Sequence, residues 1–196
     1  MNNTFYNLPS RDVFDAWHDQ APPGFRFALK FSRYGTQMKK LKDPGETIQN
    51  FMERAARLKA FLGPILVQLP PHWKSNPGRL EGFLRAVPSG VRWAVEFRDR
   101  SWLNDEVYDV LRRHGTALVI HDLIEDHPQV VTADWVYLRF HGVDYSHNYS
   151  RQALSAIAGR VKEHLRAGFH VYAYFNNDFH GYAVNNARDL RRYVEG

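Results

Sequence analysis

Short apolar runs alternate with segments of helical periodicity along the whole chain. Runs of strand length stand at seven places, around residues 2–6 and at 25–31, 65–69, 93–97, 117–121, 135–141 and 170–175. In most of the intervening segments, apolar residues recur at steps of three and four, which is typical of one face of a helix. Strands that alternate with helices predict consecutive βα units and a parallel sheet covered by those helices.

Capping residues support the predicted helices. Four polar residues precede helical segments as N-caps do: Ser10, Asn76, Ser101 and Ser150. Gly63 is predicted to end the helix that precedes it. The connection over 123–134 is too short and proline-broken for a full helix. With no internal repeat, low-complexity tract or linker, the sequence predicts a single domain.

Composition removes several classes of chemistry and of location. The 196 residues include no cysteine, which excludes disulfides, zinc ribbons, iron–sulfur clusters and thiol catalysis and fits a reducing compartment. The first residues lack the basic and apolar regions of a signal peptide. No apolar run approaches the roughly 20 residues of a membrane span. We therefore expect a cytoplasmic protein with no membrane partner.

The chain is basic, with a formal net charge of +5. Basic domains include nucleic-acid binders, but here the lysines and arginines are dispersed along the predicted helices. The densest group, Lys39-Lys40-Leu41-Lys42, is too short to form a binding arm. Nucleic-acid binding is therefore the less favoured alternative.

Polar residues gather on one parity of the predicted strands. Side chains alternate across a strand, and one parity, such as Trp93, Val95 and Phe97, is apolar and suits a helix-covered surface. The other parity becomes polar toward the strand C-termini, where catalytic residues of parallel barrels lie. Its members there are Lys30, Gln68, Glu96, Arg98, Arg139, His141, Asn176 and Asp178. The alternative is a purely structural ion-pair network, with Glu96 against Arg139 or Asp178 against Lys30.

Five segments in order resemble the YecE-like family, known as domain of unknown function 72. They are Asn3-Thr-Phe-Tyr6, Gly63-Pro-Ile-Leu-Val-Gln-Leu-Pro-Pro71, Ala94-Val-Glu-Phe-Arg98 with Ser101-Trp102, Tyr137-Leu-Arg-Phe-His-Gly142 and Tyr174-Phe-Asn-Asn-Asp178. The resemblance spans nearly the whole chain and implies an α/β fold of the TIM-type (β/α) barrel. It implies no assigned activity. Asn3, Tyr6 and Asn177, which lie in these segments, join the candidate substrate-binding residues.

The resemblance also implies a departure at the N-terminus. Family members begin with a first strand and first helix, whereas this sequence starts inside what looks like the second strand. We expect an incomplete barrel of about seven strands, with a gap between the strands near 2–6 and 170–175. Unpaired strand edges would leave an open groove or favour closure through a partner subunit, most simply a homodimer. A start that lies further upstream is the other explanation.

The leading functional hypothesis is an enzyme, or a former enzyme, that acts on a small anionic metabolite such as a sugar phosphate or carboxylate. Arginine offers a planar fork of donors that suits such groups, and the predicted mouth is net positive. Glu96 is the predicted general acid or base and His141 a second proton carrier. Lys30 and Asp178 complete the predicted catalytic set. The predicted binding residues are Asn3, Tyr6, Gln68, Arg98, Arg139, Asn176 and Asn177.

Two other classes of function stay open. A metal-dependent hydrolase or nuclease could draw ligands from Glu96, His121, Asp122, His141 and Asp178, but the sequence has no HxH or HExxH motif, and we predict no metal site. A non-catalytic binding module could use the loop aromatics Tyr6, Trp73, Trp102, Tyr145 and Tyr149. The sequence does not specify a cofactor.

Overall fold

The computed structural model describes residues 2–142 and 145–196, and the chain divides into two compact units. Unit 1 is Met1–Thr116 and unit 2 is Ala117–Gly196. Each unit contains a parallel three-stranded sheet with helices packed against it. No helix in the described residues combines the length and the apolar character that crossing a bilayer requires.

Unit 1 carries three strands and five α-helices. The strands are β1 Phe27–Lys30, β2 Leu62–Gln68 and β3 Trp93–Glu96, and the helices are α1 Asn3–Tyr6, α2 Arg11–Gln20, α3 Gly45–Ala55, α4 Pro77–Ala86 and α5 Asp105–Arg113. A π-turn at Tyr34–Met38 and 3-10 turns at Ala56–Phe61 and Arg100–Trp102 join them. β2 lies between β1 and β3, and all pairs are parallel.

The core of unit 1 is an aromatic cluster on the apolar parity of its strands. The ring of Phe31, directly after β1, lies 5.0 Å from that of Phe51 on α3 and 5.5 Å from that of Phe83 on α4. Trp93 on β3 contacts Phe31 at 5.8 Å and Phe83 at 6.0 Å. All four side chains are buried. The packing of α3 and α4 thus fixes which parity of the strands faces away from them.

The described residues of unit 2, 117–142 and 145–196, form three strands and two α-helices. They are β4 Ala117–His121, β5 Trp135–Phe140, α6 Arg151–Arg166, β6 His170–Phe175 and α7 Tyr182–Glu195, with a 3-10 turn at Phe179–Gly181. β5 lies between β4 and β6 in parallel register. Its apolar parity packs with Ile120 of β4 against α6 and α7, through residues such as Ile157 and Leu190.

The predicted strand around 2–6 is wrong. Residues Asn3–Tyr6 form the short helix α1, so the described residues contain six strands and not the predicted seven. Thr4 anchors this helix, because its hydroxyl donates to the Lys30 carbonyl at 2.7 Å and accepts from the Lys30 N–H at 3.2 Å. Thr4 and Phe5 are buried, whereas Asn3 and Tyr6 on either side of them are exposed. This pattern fits one turn of a helix and not the alternation of a strand. The other six strands and the α/β class are as predicted; the TIM-type barrel, which the sequence predicts to be incomplete, stays a prediction.

Two predicted helix boundaries also need correction. Asn104, and not Ser101, caps α5, because its side chain accepts from Val107 N–H at 3.1 Å. Gly63 lies inside β2, and α3 passes at Ala55 into a 3-10 turn. The predicted caps Asn76 and Ser150 do accept bonds from the first turns of α4 and α6. As predicted, 123–134 contains no helix.

A surface ion cluster joins α4 to α5 and gives a stability prediction. The Glu81 carboxylate lies 2.9 Å from Nε2 of His114 and accepts from Arg113 at 2.7 Å. These hydrogen bonds, that of His114 first, lower the pKa of Glu81 from 4.5 to about 2. Glu81→Gln should cost about 1 kcal/mol of unfolding free energy at pH 7. Because the folded pKa is depressed, this contribution is present above pH 4.5 and is lost as pH falls toward 2.

Urea unfolding of both proteins across this pH range measures the difference. The matched control is Glu106→Gln, which changes an exposed carboxylate on α5. A Glu81→Gln deficit that is the same at pH 7 and pH 2 would contradict the assignment.

Candidate functional site

At the C-terminal ends of the unit 1 strands, three predicted residues come together. Gln68 and Glu96 are direct partners in the β2–β3 register, so their side chains lie on the same face. Glu96 is fully buried and forms an ion pair with Nε of Arg98, two residues further on. The backbone carbonyl of Gln68 accepts a hydrogen bond from the side-chain amide of Gln37 at 2.9 Å. Unit 1 thus holds an amide, a carboxylate and a guanidinium at the C-terminal ends of β2 and β3.

Lys30 is held beside the short helix α1. Its ammonium nitrogen lies 3.8 Å from the centre of the Phe5 ring, which is a cation–π contact. Thr4, bonded to the backbone of Lys30, ties α1 to the end of β1. The predicted binding residues Asn3 and Tyr6 belong to this helix and are exposed. The structure therefore places Asn3, Tyr6 and Lys30 at one end of β1.

In unit 2, a row of polar side chains crosses all three strands. His121, Arg139 and Tyr174 are register partners on β4, β5 and β6. His121 and Arg139 are buried. Burial, with a smaller effect of Tyr172, raises the pKa of Tyr174 above its usual range, so that its hydroxyl stays neutral.

Aromatic rings on the same parity lie next to this row, toward the N-terminal ends of the strands. Trp135 lies 5.7 Å from Tyr172, and Tyr137 lies 5.1 Å from Tyr174, both measured between ring centres. Bulky aromatic rings exclude water and so lower the local dielectric constant. The charge of Arg139 therefore acts in a partly desolvated place.

Directly after β5, His141 forms a hydrogen-bonded dyad with Asp122. Nδ1 of the fully buried His141 lies 3.2 Å from Oδ1 of Asp122, and the backbone N–H of His141 donates to the same oxygen at 2.8 Å. Gly142 N–H donates to Oδ2 at 3.2 Å, and the Tyr149 hydroxyl also donates to Oδ2. Because an ionised carboxylate only accepts, Nδ1 must carry a proton.

The hydrogen bonds around Asp122 decide its charge. Burial alone would raise the pKa of Asp122, but the bonds from His141, Tyr149 and two backbone N–H groups outweigh it and hold that pKa well below 3.8. Burial, and then the bond to Asp122, raise the pKa of Tyr149 far above its usual range. Asp122 is therefore a fixed anion and Tyr149 a fixed neutral donor at neutral pH.

The other ring nitrogen of His141 is without a hydrogen-bonding partner among residues 2–142 and 145–196. This atom, Nε2, is buried. The His121 ring lies 6.0 Å from the His141 ring and the Tyr145 ring 5.4 Å away, both nearly perpendicular to it. With Nδ1 protonated, the neutral imidazole presents a lone pair at Nε2. A buried acceptor of this kind calls for a ligand, a water molecule or a proton.

The three predicted residues after β6 differ in their surroundings. The Asn176 N–H donates to the Phe140 carbonyl at 2.7 Å, and its side chain is partly buried. Asn177 is buried, and its amide donates to the His147 carbonyl and to Oδ1 of Asn186, both at 2.8 Å. Asp178 is exposed at the start of the 3-10 turn. Among the three, Asn177 is built into the protein interior and Asp178 faces solvent.

Gly142 is required where the chain leaves β5. Its φ is +67°, and an added Cβ would lie 3.1 Å from the His147 carbonyl oxygen. Only glycine combines this conformation with the close approach at low cost. The turn directs the Gly142 N–H to Asp122, which helps to hold the dyad.

Sequence reasoning placed Asp122 only in a metal site and Tyr149 only on a partner surface, and it missed Asn186. The sequence does contain a signal for Asp122 and another for Asn186. Asp122 directly follows the buried strand β4, and His141 directly follows its neighbour β5. Asn186 lies among the buried residues of α7, between Ala183 and Leu190. Across residues 2–142 and 145–196, no three or more His, Cys, Asp or Glu side chains are grouped so as to hold a metal ion.

The fold and this strand-end chemistry define an α/β protein with polar residues at the C-termini of parallel strands. The family described as "Protein of unknown function DUF72" matches residues 1–196, and the chain belongs to this family. Among curated relatives, UPF0759 protein YecE of Escherichia coli K12 is 29% identical over 100 residues, which are 50% of this chain. The alignment spans 36% of YecE, so the chain matches about a third of that relative's length.

Solved structures of the family share the fold. A DUF72 family protein from Thermotoga maritima MSB8 is 30% identical, with a TM-score of 0.87 over 98% of this chain and 82% of that one. A DUF72 family protein from Enterococcus faecalis V583 is 21% identical, with a TM-score of 0.87 over 100% of this chain and 84% of its own. The second likeness concerns the fold alone.

Replacing Asp122 tests the dyad. Asp122→Asn removes the anion that fixes the proton on Nδ1 of His141, so we expect the neutral ring to shift toward the other tautomer. Nitrogen-15 chemical shifts of the His141 ring measure this directly. Tyr149→Phe is the matched control, because it removes one donor to Asp122 and leaves the His141 contact in place. Unchanged His141 shifts in Asp122→Asn would contradict the arrangement.

Proposed function

We propose that the protein is an enzyme that acts on a small anionic metabolite, with His141 exchanging a proton with the bound molecule. The observation that carries this proposal is the buried Nε2 of His141, without a partner in the described residues, on a ring whose Nδ1 faces Asp122. Structural histidines normally satisfy both nitrogens when they are buried. A histidine with one nitrogen oriented and the other open has the form of a general base.

The proton chemistry follows from the fixed charge of Asp122. When Nε2 takes a proton, the ring becomes a cation, and the neighbouring carboxylate stabilises it. The same contact holds the ring so that Nε2 keeps its direction. Asp122 is thus a positioning residue, and Tyr149 and the Gly142 N–H in turn hold Asp122. His141 can then return the proton to a leaving group, which completes a general acid–base cycle.

Arg139 supports an anionic substrate. It precedes His141 by two residues on the same parity of β5, a rise of roughly 7 Å along the strand. A guanidinium presents a planar fork that matches phosphate or carboxylate oxygens. The aromatic residues Tyr137 and Tyr174 on the same face limit solvent screening of this charge. C-terminal strand ends are the common active-site position in parallel α/β folds, and the position of both residues there supports the proposal.

The unit 1 residues keep their predicted roles as proposals. Glu96 is the buried carboxylate of that unit, beside Gln68 and paired with Arg98. Its role as an acid or base requires that Arg98 hold it in place without blocking it. The second unit 1 group lies at the end of β1, where Lys30 keeps its proposed catalytic role and Asn3 and Tyr6 keep theirs in substrate binding.

Anion binding tests the role of Arg139. Inorganic phosphate, sulfate and glucose 6-phosphate are titrated in thermal unfolding, and at about 100 times Kd a ligand should raise Tm by about 5 °C or more. Arg139→Met should lose most of this rise. Arg139→Lys, which keeps the charge without the planar fork, should retain part of it. Arg151→Met, an exposed change at the start of α6, is the control.

No rise with any of the three anions at millimolar concentration would contradict the anionic substrate. An equal rise in Arg139→Met would place the anion elsewhere.

Turnover tests the role of His141. A panel of phosphorylated and carboxylated metabolites is incubated with the protein, and product formation is followed by proton NMR. His141→Gln should lower the rate by about 10² to 10⁴ and leave the anion-induced Tm rise in place. His170→Gln, an exposed change at the start of β6, is the matched control. Full activity in His141→Gln would contradict the proposal, and binding without turnover of any compound would favour a non-catalytic module.

A further inference from the structure

Unit 2 contains a cavity that adjoins the proposed reaction site, because His121 and Asp122 are among the residues that line it. It has a volume of about 310 Å³, at the lower end of the range for small-molecule pockets. Its apolar floor consists of Ile120, Leu138 and Phe140. These side chains belong to the face that packs against α6, whereas Arg139 has the opposite parity on β5. The cavity floor therefore lies on the helix-covered face of the sheet.

The cavity exists because one covering helix is missing. β4 and β5 are joined by residues 122–134, which contain no helix, whereas β5 and β6 are joined through α6. The side chains beside Ile120 and Leu138 are thus covered by α6 on one side and by an irregular loop on the other. The loop bridges the space without filling it, and Ile124 and Gln129 of the loop line the cavity.

Charged side chains of both signs line the cavity around this apolar floor, some from α6 and others from the loop. Arg160 and His164 lie one turn apart on α6 and line one wall. Glu125 and Asp126 of the loop line another. Within the described residues, the Arg160 guanidinium makes no ion pair or hydrogen bond. Arg160 and the two loop acids therefore line the same cavity, and Arg160 forms no ion pair with either acid.

We propose that this cavity binds a small apolar amino acid or a zwitterion of the same form. The ligand's carboxylate pairs with Arg160, its ammonium group lies toward Glu125 and Asp126, and its hydrocarbon chain covers Ile120, Leu138 and Phe140. An anion alone would face the repulsion of two loop acids, and a cation alone would face Arg160. A zwitterion satisfies both walls and buries apolar surface.

Four related probes separate these contributions. L-leucine carries both charges and a chain, 4-methylpentanoate lacks the amine, 3-methylbutylamine lacks the carboxylate, and glycine lacks the chain. Amide chemical shifts of the full chain report both affinity and position. Leucine should bind with a Kd of about 1 mM or tighter, and each of the other three about tenfold more weakly. The shifted amides should lie in the loop 122–134 and in α6.

Two variants assign the charged walls. Arg160→Met should weaken leucine about tenfold and should not weaken 3-methylbutylamine, whereas Asp126→Asn should weaken both leucine and 3-methylbutylamine and should not weaken 4-methylpentanoate. Arg166→Met, an exposed change on the last turn of α6 outside the cavity, is the control. All three changes are on the surface, so folding should be kept.

Several outcomes would overturn this inference. They are the absence of saturable shifts with leucine at about ten times the expected Kd, unchanged leucine affinity in Arg160→Met, or binding of 4-methylpentanoate as tight as that of leucine. The inference does not rest on the proposed reaction, so these outcomes are judged separately from the turnover test of His141.

Discussion

Every second side chain of a buried parallel strand has to be covered by a helix, and the rest of this protein depends on that constraint. In unit 1, Phe31 and Trp93 reach α3 and α4 through a continuous set of ring contacts. In unit 2, Leu138 and Phe140 reach α6. Once this parity is fixed, the polar residues have to take the other one, and they concentrate at the strand ends. The site is thus a consequence of how the core is packed.

Asp122 then converts a polar strand end into a defined proton-transfer group. It accepts hydrogen bonds from the backbone of His141 and Gly142, from the His141 ring and from the Tyr149 hydroxyl. Four donors on one carboxylate keep it ionised despite its partial desolvation. Because the same anion anchors the backbone and the ring, the direction of the His141 ring is set by the turn at Gly142. Removing the carboxylate would therefore disturb chemistry and loop geometry together.

Much of this could be predicted from periodicity, and the exceptions have physical causes. Six strands and the absent helix at 123–134 follow from alternation and from the proline break. Residues 2–6 were misassigned because Phe5 and Tyr6 favour strands locally, whereas the Thr4–Lys30 hydrogen bonds that hold α1 are tertiary. Glu96 and His141 could be placed at strand ends by parity. The pairing of His141 with Asp122 could not, since it depends on a turn whose geometry only the folded chain defines.

The absence of a helix between β4 and β5 has two consequences, one for the hydrogen bonds of Asp122 and one for the cavity. A full helix after β4 would take Asp122 into its first turn and satisfy its carboxylate with helix N–H groups. Without it, Asp122 is left to accept from His141, Gly142 and Tyr149, while Glu125 and Asp126 extend along the uncovered face. The loss of apolar cover over Ile120 and Leu138 costs packing energy, as any cavity does. A bound ligand would cover Ile120 and Leu138 and would pair with the charged side chains around them. Such a ligand explains why the cavity persists better than an empty space does.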